Sequence, residues 1–223
     1  MSVRQNTLTQ LGVRITEPSA PQVVQLTAGG RSYIEVWNTL PEDAQLSPTA
    51  FDTLWDKHPQ KRNLVRVYGK NLEERRWSAS YMRGYRYSGH EHPPRDTSVP
   101  PELVPLWLWV SSKWPSMNQC LVNWYHPSDH IGSHSDDEAS LVPGQPILSV
   151  SYGATRTFRV KSKRTPYTKP GTVSVRDFKT GNNTMFVMGG TMQKTHKHEI
   201  VPLGKRAQES GGNRINVTFR AFK

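Results

Sequence analysis

The sequence has one cysteine, few acidic residues and no long apolar run. Because Cys120 is the single cysteine in 223 residues, no disulfide within the chain can support the fold. No stretch reaches 18 consecutive apolar residues, and residues 1–6 lack the apolar segment of a secretory signal. These absences predict an intracellular protein that neither spans a membrane nor is secreted. We expect Cys120, which lies in an apolar run, to be a small buried side chain and not a nucleophile.

Hydrophobic residues make up only 35% of the chain, but seven Trp, eight Tyr and six Phe supply bulky core material. A chain of this size can bury roughly 70–75% of its unfolded surface in a single core. The sequence shows no repeat, low-complexity tract or long linker. It therefore predicts one domain over 61–223, preceded by an extension with a short helix over 1–60 that packs on it, and it predicts a monomer.

Lysine and arginine outnumber acidic residues by 29 to 18, and the excess is concentrated in two regions. Residues 61–100 carry a net charge of +5 and residues 151–180 carry +7, whereas residues 1–60 carry −2. A basic face interleaved with aromatic side chains is typical of proteins that bind a phosphate backbone. The alternative is a solvated basic surface that serves only solubility, and charge alone does not distinguish the two.

The pattern changes along the chain from helices to short strands. Ser47-Pro48 predicts the start of one helix, and an apolar stripe predicts a second over about 100–113. After it, Gly, Pro and Asn separate short β-rich segments. These segments are 120–125, 147–152, 157–161, 172–177, 184–188 and 215–222. The order predicts a mainly β fold with flanking helices, built on a double-stranded β-helix (jelly-roll) core.

Within the β-rich half, His134 and Asp136 are separated by one residue. In an extended segment, residues two apart project to the same face, so the imidazole and the carboxylate can converge on a metal ion. A second histidine would complete a two-histidine, one-carboxylate face, which is typical of non-haem Fe(II) oxygenases. His198 is a candidate for that ligand, and His196 and His130 are alternatives. Alone, the H-x-D pattern is weak evidence because it is common by chance.

The segment 214–220 alternates with period two. Arg214, Asn216 and Arg220 fall on one side of the predicted strand, and apolar residues fall on the other. Burying two guanidinium groups without anionic partners is very costly, so an inward-facing array implies a bound carboxylate or internal acids. A surface strand with basic outward residues is the alternative.

Together, these residues and their order resemble the AlkB family of Fe(II)- and 2-oxoglutarate-dependent nucleic-acid dioxygenases, and most closely its members that repair duplex DNA. The resemblance spans about 64–222. The family's N-x-Y, H-x-D, distal histidine and R-x-N-x-T-x-R elements appear here at 123–125, 134–136, 198–203 and 214–220. The family's Ile-x-Pro-Leu continuation follows His198 and not His196, which favours His198 as the ligand.

The resemblance implies an iron centre with an organic co-substrate. Fe(II) and 2-oxoglutarate would be bound, with O2 as the second co-substrate. The implied iron ligands are His134, Asp136 and His198. The residues implied to bind 2-oxoglutarate are Arg214, Asn123 and Tyr125 at its distal carboxylate, and Asn216 and Arg220 near its C1 end.

The resemblance also implies a nucleotide-recognition lid over about 61–95. Val67 and Tyr68 would fill the gap left by a flipped base, and Tyr87 would stack on that base against His134. Tyrosine stands at 68 and 87 where the family has phenylalanine, and a hydroxyl is harder to desolvate between bases. Further lid candidates are Arg75, Arg76, Tyr81, Arg83 and Arg86. A second basic group comprises Arg156, Arg159, Lys161, Lys163 and Arg164. The members of both groups are expected chiefly to contact phosphate.

Asp137 and Glu138 follow the implied ligand carboxylate. They are predicted either to read a base or to orient the histidines. The implied activity is oxidative demethylation of bases such as 1-methyladenine and 3-methylcytosine in DNA, with release of formaldehyde, succinate and CO2, in the repair of alkylation damage. A family member that acts on RNA or single strands is the first alternative, and a non-catalytic nucleic-acid-binding module is the second.

Overall fold

The computed structural model describes residues 18–164 and 173–223, and within them fifteen strands form two larger sheets and two separate hairpins. The strands are β1 Gln22–Gln25, β2 Ser32–Trp37, β3 Leu64–Val67, β4 Lys70–Glu73, β5 Trp77–Tyr81, β6 Tyr85–Tyr87, β7 His90–His92, β8 Gln119–Tyr125, β9 Ile131–His134, β10 Ile147–Gly153, β11 Arg156–Ser162, β12 Val175–Thr180, β13 Thr184–Gly190, β14 His196–Ile200 and β15 Arg214–Arg220. The helices are α1 Pro48–Trp55, α2 Val104–Lys113, α3 Met192–Thr195 and α4 Lys205–Glu209, with 3-10 turns at Glu42–Ala44 and Pro101–Leu103.

The larger sheet has the order β1-β2-β13-β10-β15-β8-β5, and the smaller has the order β12-β11-β14-β9. Neighbouring strands are antiparallel and come from distant parts of the chain, as in β8 and β15, which pair from Gln119↔Arg220 to Tyr125↔Arg214. This architecture confirms the predicted mainly β fold with a jelly-roll core and flanking helices. It places the inner faces of β8, β10 and β15 opposite those of β9, β11 and β14, and the candidate site lies between them.

Helices α1 and α2 cover the larger sheet. Helix α1 begins as predicted, because the Ser47 side chain accepts a hydrogen bond from the Ala50 N–H and Pro48 occupies the first helical position. Its Leu54 carbonyl accepts a hydrogen bond of 2.8 Å from the Trp124 indole N–H of β8. Helix α2 packs Trp109 into the same core. The helices therefore support the strand that carries Asn123 and Tyr125.

The region before residue 60 contributes strands that the sequence pattern did not predict. Strand β2 pairs with β13 from Trp37↔Met185 to Ser32↔Gly190, and β1 forms the edge beside it. Residues 1–17 lie outside the described part of the chain. The predicted strand 172–177 runs instead from Val175 to Thr180, and residue 172 is also outside the described residues.

Cys120 is buried in the core, and burial raises the pKa of its thiol, as expected for an inert side chain. No helix within 18–164 and 173–223 has the length and apolar character needed to cross a bilayer.

Candidate active site

Three predicted ligands converge between the sheets. His134 ends β9 and lies directly opposite His198 on β14, with ring centroids 4.3 Å apart. The Asp136 carboxylate oxygens lie 3.8 Å from His134 Nε2 and 3.7 Å from His198 Nε2. All three donor atoms are within 4.8 Å of one another, which fits a single metal ion.

The two rival histidines lie outside this cluster. His196 occupies the same strand as His198, but its Nδ1 lies 2.8 Å from Thr195 Oγ1, a local hydrogen bond. His130 is half-buried in the loop before β9, and its backbone N–H donates to the Arg75 carbonyl. Among the described residues, the only cluster of three potential metal ligands is therefore the one that contains His198.

The protonation states suit metal binding. Burial, reinforced by the neighbouring His134, lowers the pKa of His198 to about 3, and burial also lowers the pKa of His134. Burial opposes ionisation of Asp136, but the charges of Arg220 and the histidines outweigh it and hold its pKa at about 2. His134 Nδ1 lies 2.8 Å from the Gly132 carbonyl, so the proton sits on Nδ1 and leaves Nε2 free for a metal. The site thus presents neutral imidazoles and an ionised carboxylate.

Arg220 connects the metal ligands to Glu138. Its buried guanidinium donates from Nη2 to Asp136 Oδ1 at 2.9 Å and from Nη1 to Glu138 Oε1 at 3.1 Å. Burial raises the pKa of Glu138 although Arg220 acts in the opposite direction. Asp137 instead points to the surface, where Lys163 Nζ lies 3.3 Å from its carboxylate. Arg220 therefore links Glu138, but not Asp137, to the metal ligands.

Arg214 lies at the other end of the same space. Its guanidinium carbon is 4.9 Å from the Tyr125 ring centroid, and its Nη2 donates to Ser151 Oγ at 2.9 Å. Its Nε and Nη1 are buried and have no hydrogen-bond partner among the described residues. Burial lowers the pKa of Arg214 to about 10. Because a buried cation with unused donors is costly, this end of the site fits a carboxylate.

One cavity joins the two ends. Apolar side chains line part of it, and Asn123 and Asn216 line it from β8 and β15. Both amides already have partners: Asn123 Oδ1 accepts from Arg76 Nε at 2.8 Å, and Asn216 Nδ2 donates to the Val150 carbonyl at 2.7 Å. The apolar lining comprises Leu121, Ile131, Phe158, Met188 and Ile200.

Arg76 differs from its predicted role as a phosphate contact. Its guanidinium is buried, lines the cavity and lies 3.2 Å from the carboxylate of Glu74, which is also buried. The next residue back, Arg75, is exposed. Tyr81, also predicted to lie in the lid, is buried in the main hydrophobic core. Residues 74–76 alternate as in an extended chain, which turns Glu74 and Arg76 inward and Arg75 outward.

Two tyrosines line the mouth of the cavity. Tyr87 is half-buried and lines the cavity, and Tyr85 lies beside it with its ring stacked on His92 at a centroid distance of 4.9 Å. The sequence pattern did not nominate Tyr85, although period-two spacing from Tyr87 places both on one face of β6. Val67 and Tyr68 occupy the tip of the β3–β4 hairpin.

The Tyr68 side chain is fully exposed, and its backbone has φ 48° beside Gly69 with φ 77°. Two consecutive residues at positive φ form the tight two-residue turn that suits the twist of a hairpin. The turn therefore holds the tyrosine away from the body of the protein.

The second basic group is largely neutralised within the fold. Arg156 is buried and donates to the backbone carbonyls of Asp129 and Val201. Three other members of the group form ion pairs with acidic residues: Arg159 with Asp177, Lys161 with Glu199, and Lys163 with Asp137. Arg164 is exposed. The prediction of five phosphate contacts is wrong for the buried Arg156, because the strand turns its side chain inward.

Residues 36–220 match the family model of the 2OG-Fe(II) oxygenase superfamily. DNA oxidative demethylase ALKBH2 of Arabidopsis thaliana is 30% identical over 245 residues, covering 97% of this chain and 76% of the relative. The chain belongs to the AlkB family. ALKBH2 of Mus musculus is 34% identical over 166 residues, covering 70% of this chain and 65% of the relative. The solved structure of OsALKBH1 has a TM-score of 0.51 at 16% identity, covering 89% of this chain and 99% of that one, which supports the fold.

The donor set fits the Fe(II) and 2-oxoglutarate that this superfamily uses. His134, Asp136 and His198 would hold the metal, and the unused donors of Arg214 suit a carboxylate of the co-substrate. The family match and this donor set together confirm the predicted iron and 2-oxoglutarate centre.

Proposed function

We propose that this chain oxidatively demethylates N-alkylated bases of the 1-methyladenine and 3-methylcytosine type in DNA, in the repair of alkylation damage. The products would be the unmodified base, formaldehyde, succinate and CO2. The observation that carries the proposal is that the metal triad and the unused donors of Arg214 share one cavity with an aromatic mouth. The names of the mouse and Arabidopsis relatives, DNA oxidative demethylases, support DNA as the substrate.

The side chains around the centre have distinct tasks. Bound Fe(II), with O2 and 2-oxoglutarate, supplies the oxidation of an N-methyl C–H bond. Arg214 would bind the distal carboxylate of 2-oxoglutarate, and Arg220 keeps Asp136 ionised and oriented. The apolar side chains of the cavity lining would limit the access of water to the co-substrate.

The lid would receive the base. Chemistry on a paired base requires that it be extruded from the stack, and Tyr85 and Tyr87 offer aromatic surfaces at the cavity mouth. Val67 and Tyr68, exposed at the hairpin tip, would fill the gap in the duplex. The proposed site needs no residue from a second copy, so the proposal includes action as a monomer.

The test is anaerobic loading with Fe(II) and 2-oxoglutarate, followed by O2 and mass spectrometry of a methylated oligonucleotide. We expect methyl loss with release of formaldehyde for the wild-type protein and none above background for His134→Ala. Equal, slow methyl loss by both proteins would contradict the enzyme assignment. Duplex DNA, single-stranded DNA and RNA of one sequence are compared in parallel, and faster turnover of RNA would replace the DNA proposal with the RNA alternative.

A further inference from the structure

The segment that carries Asp136 leaves the sheet just before that residue. Strand β9 ends at His134, where its ladder with β14 has the pair His134↔His198. The backbone of the next residues therefore lacks the ladder hydrogen bonds of a strand, yet Asp136 is buried. A buried N–H needs an acceptor, and here a side chain provides it. The Asp136 N–H donates to Gln193 Oε1 at 3.0 Å.

Gln193 lies on α3 and is held in place from two directions. Its amide Nε2 lies 3.5 Å from Met188 Sδ, a weak contact that orients the amide. Its backbone carbonyl accepts from Lys163 Nζ at 2.8 Å, and the same Nζ lies 3.3 Å from the Asp137 carboxylate. Lys163 thus joins α3 to the residue that follows Asp136. The Asp136 side chain is fixed separately, because Arg220 donates to Oδ1.

We propose that Gln193 is a positioning residue for the metal centre. Its amide oxygen fixes the backbone of Asp136 and thereby the distance of that carboxylate from the two histidines, so it raises the affinity of the site for a divalent metal. The inference rests on the proposed iron site but not on the identity of the nucleic-acid substrate. Outer partners of metal ligands typically contribute roughly 10–100-fold in metal affinity.

The experiment measures Co(II) binding to the metal-free protein by its d–d absorption, with no turnover required. Gln193→Met keeps the length of the side chain and removes the acceptor, whereas Gln193→Glu keeps an acceptor oxygen. Gln208→Met is the matched control, because the side chain of Gln208, on the separate helix α4, likewise bonds to a backbone group: it donates to the Leu203 carbonyl. We expect Gln193→Met to bind Co(II) roughly 10–100-fold more weakly with an altered d–d spectrum, and the other two variants to match the wild-type protein.

Wild-type affinity and spectrum in Gln193→Met would overturn the proposal, and so would a loss in Gln193→Glu equal to that in Gln193→Met. Circular dichroism of the metal-free proteins checks the fold. If Gln193→Met does not fold, Gln193→Asn, whose amide is one methylene shorter, takes its place in the same comparison. Failure of the wild-type protein to bind Co(II) would instead refute the metal centre and the proposed function with it.

Discussion

The cavity and the β3–β4 hairpin differ in which side chains they bury and which they expose. In the cavity, charged side chains are buried, and most of them form ion pairs within the protein without a ligand. Asp136 pairs with Arg220, and Arg76 pairs with Glu74. The hairpin forms a two-stranded sheet of its own and exposes large apolar side chains, including Leu64 and Tyr68. Two strands alone bury little surface, and exposed apolar groups in a cluster usually mark an interaction site. The cavity is therefore preorganised for small ligands, whereas the hairpin is suited to contact a larger partner.

Substitution of Arg214 is expected to give the largest effect that separates the cavity from the hairpin. In Arg214→Met the buried donors for the co-substrate carboxylate are lost, and removing one partner of a buried, hydrogen-bonded charge pair costs about 2–5 kcal/mol, or roughly 30-fold or more in affinity. Titration of the Mn(II)-loaded protein with 2-oxoglutarate measures this loss. Affinity for methylated DNA should stay close to wild type. Equal losses for 2-oxoglutarate and DNA would contradict the separation of the two regions.

The cavity should also make the metal-free protein sensitive to acid. Burial lowers the pKa of His198 from 6.5 to about 3, so the unfolded chain binds a proton that the folded chain excludes. The free energy of unfolding is then highest above pH 6.5 and falls as the pH decreases toward 3, and Asp136 extends the loss toward 2. Urea unfolding in the presence of a chelator, repeated at several pH values, measures this free energy of unfolding. His198→Gln should flatten the decline, and an unchanged slope would count against the buried neutral histidine.

A smaller effect, confined to duplex substrates, is expected at the hairpin. Stacking of an aromatic side chain on a base contributes about 1–3 kcal/mol, so Tyr68→Ala should lower turnover of methylated duplex DNA by roughly tenfold. The free energy of unfolding should change by no more than about 0.5 kcal/mol, because the side chain is exposed. Single-stranded DNA of the same sequence is the comparison. A similar loss on both substrates would argue against a role in filling the duplex.

The metal triad and the strand 214–220 were predictable from the sequence for a local reason. Period-two alternation predicts that His134 and Asp136 share one face and that Arg214 and Arg220 share another. Strand β9 ends at His134, so in the structure Asp136 reaches the site from the residues that follow the strand. Residue spacing alone could not identify His198 rather than His196 as the third metal ligand, because strand alternation puts both on the same side of β14. The resemblance to the AlkB family supplied that choice, and the cross-strand pair with His134 confirms it.

The roles of Arg76, Arg156 and Gln193 were not predictable in the same way. In the sequence Arg76 and Arg156 are members of basic groups, and nothing local distinguishes a buried guanidinium from a solvated one. Their burial depends on Glu74, Asn123 and backbone carbonyls. Gln193 lies 57 positions from Asp136 and carries no charge or motif. Only the fold brings its amide to that backbone N–H.

The sequence by itself determined the fold class, the donor types and which side chains share a strand face, because these depend on residue chemistry and on the two-residue repeat of a strand. Tertiary structure alone decided which cations are buried, which acids neutralise them and what holds the ligand carboxylate in place. Those outcomes depend on contacts between residues far apart in the chain. Burial removes water from these residues, so an unpaired charge is costly and each charged group needs a partner at bonding distance.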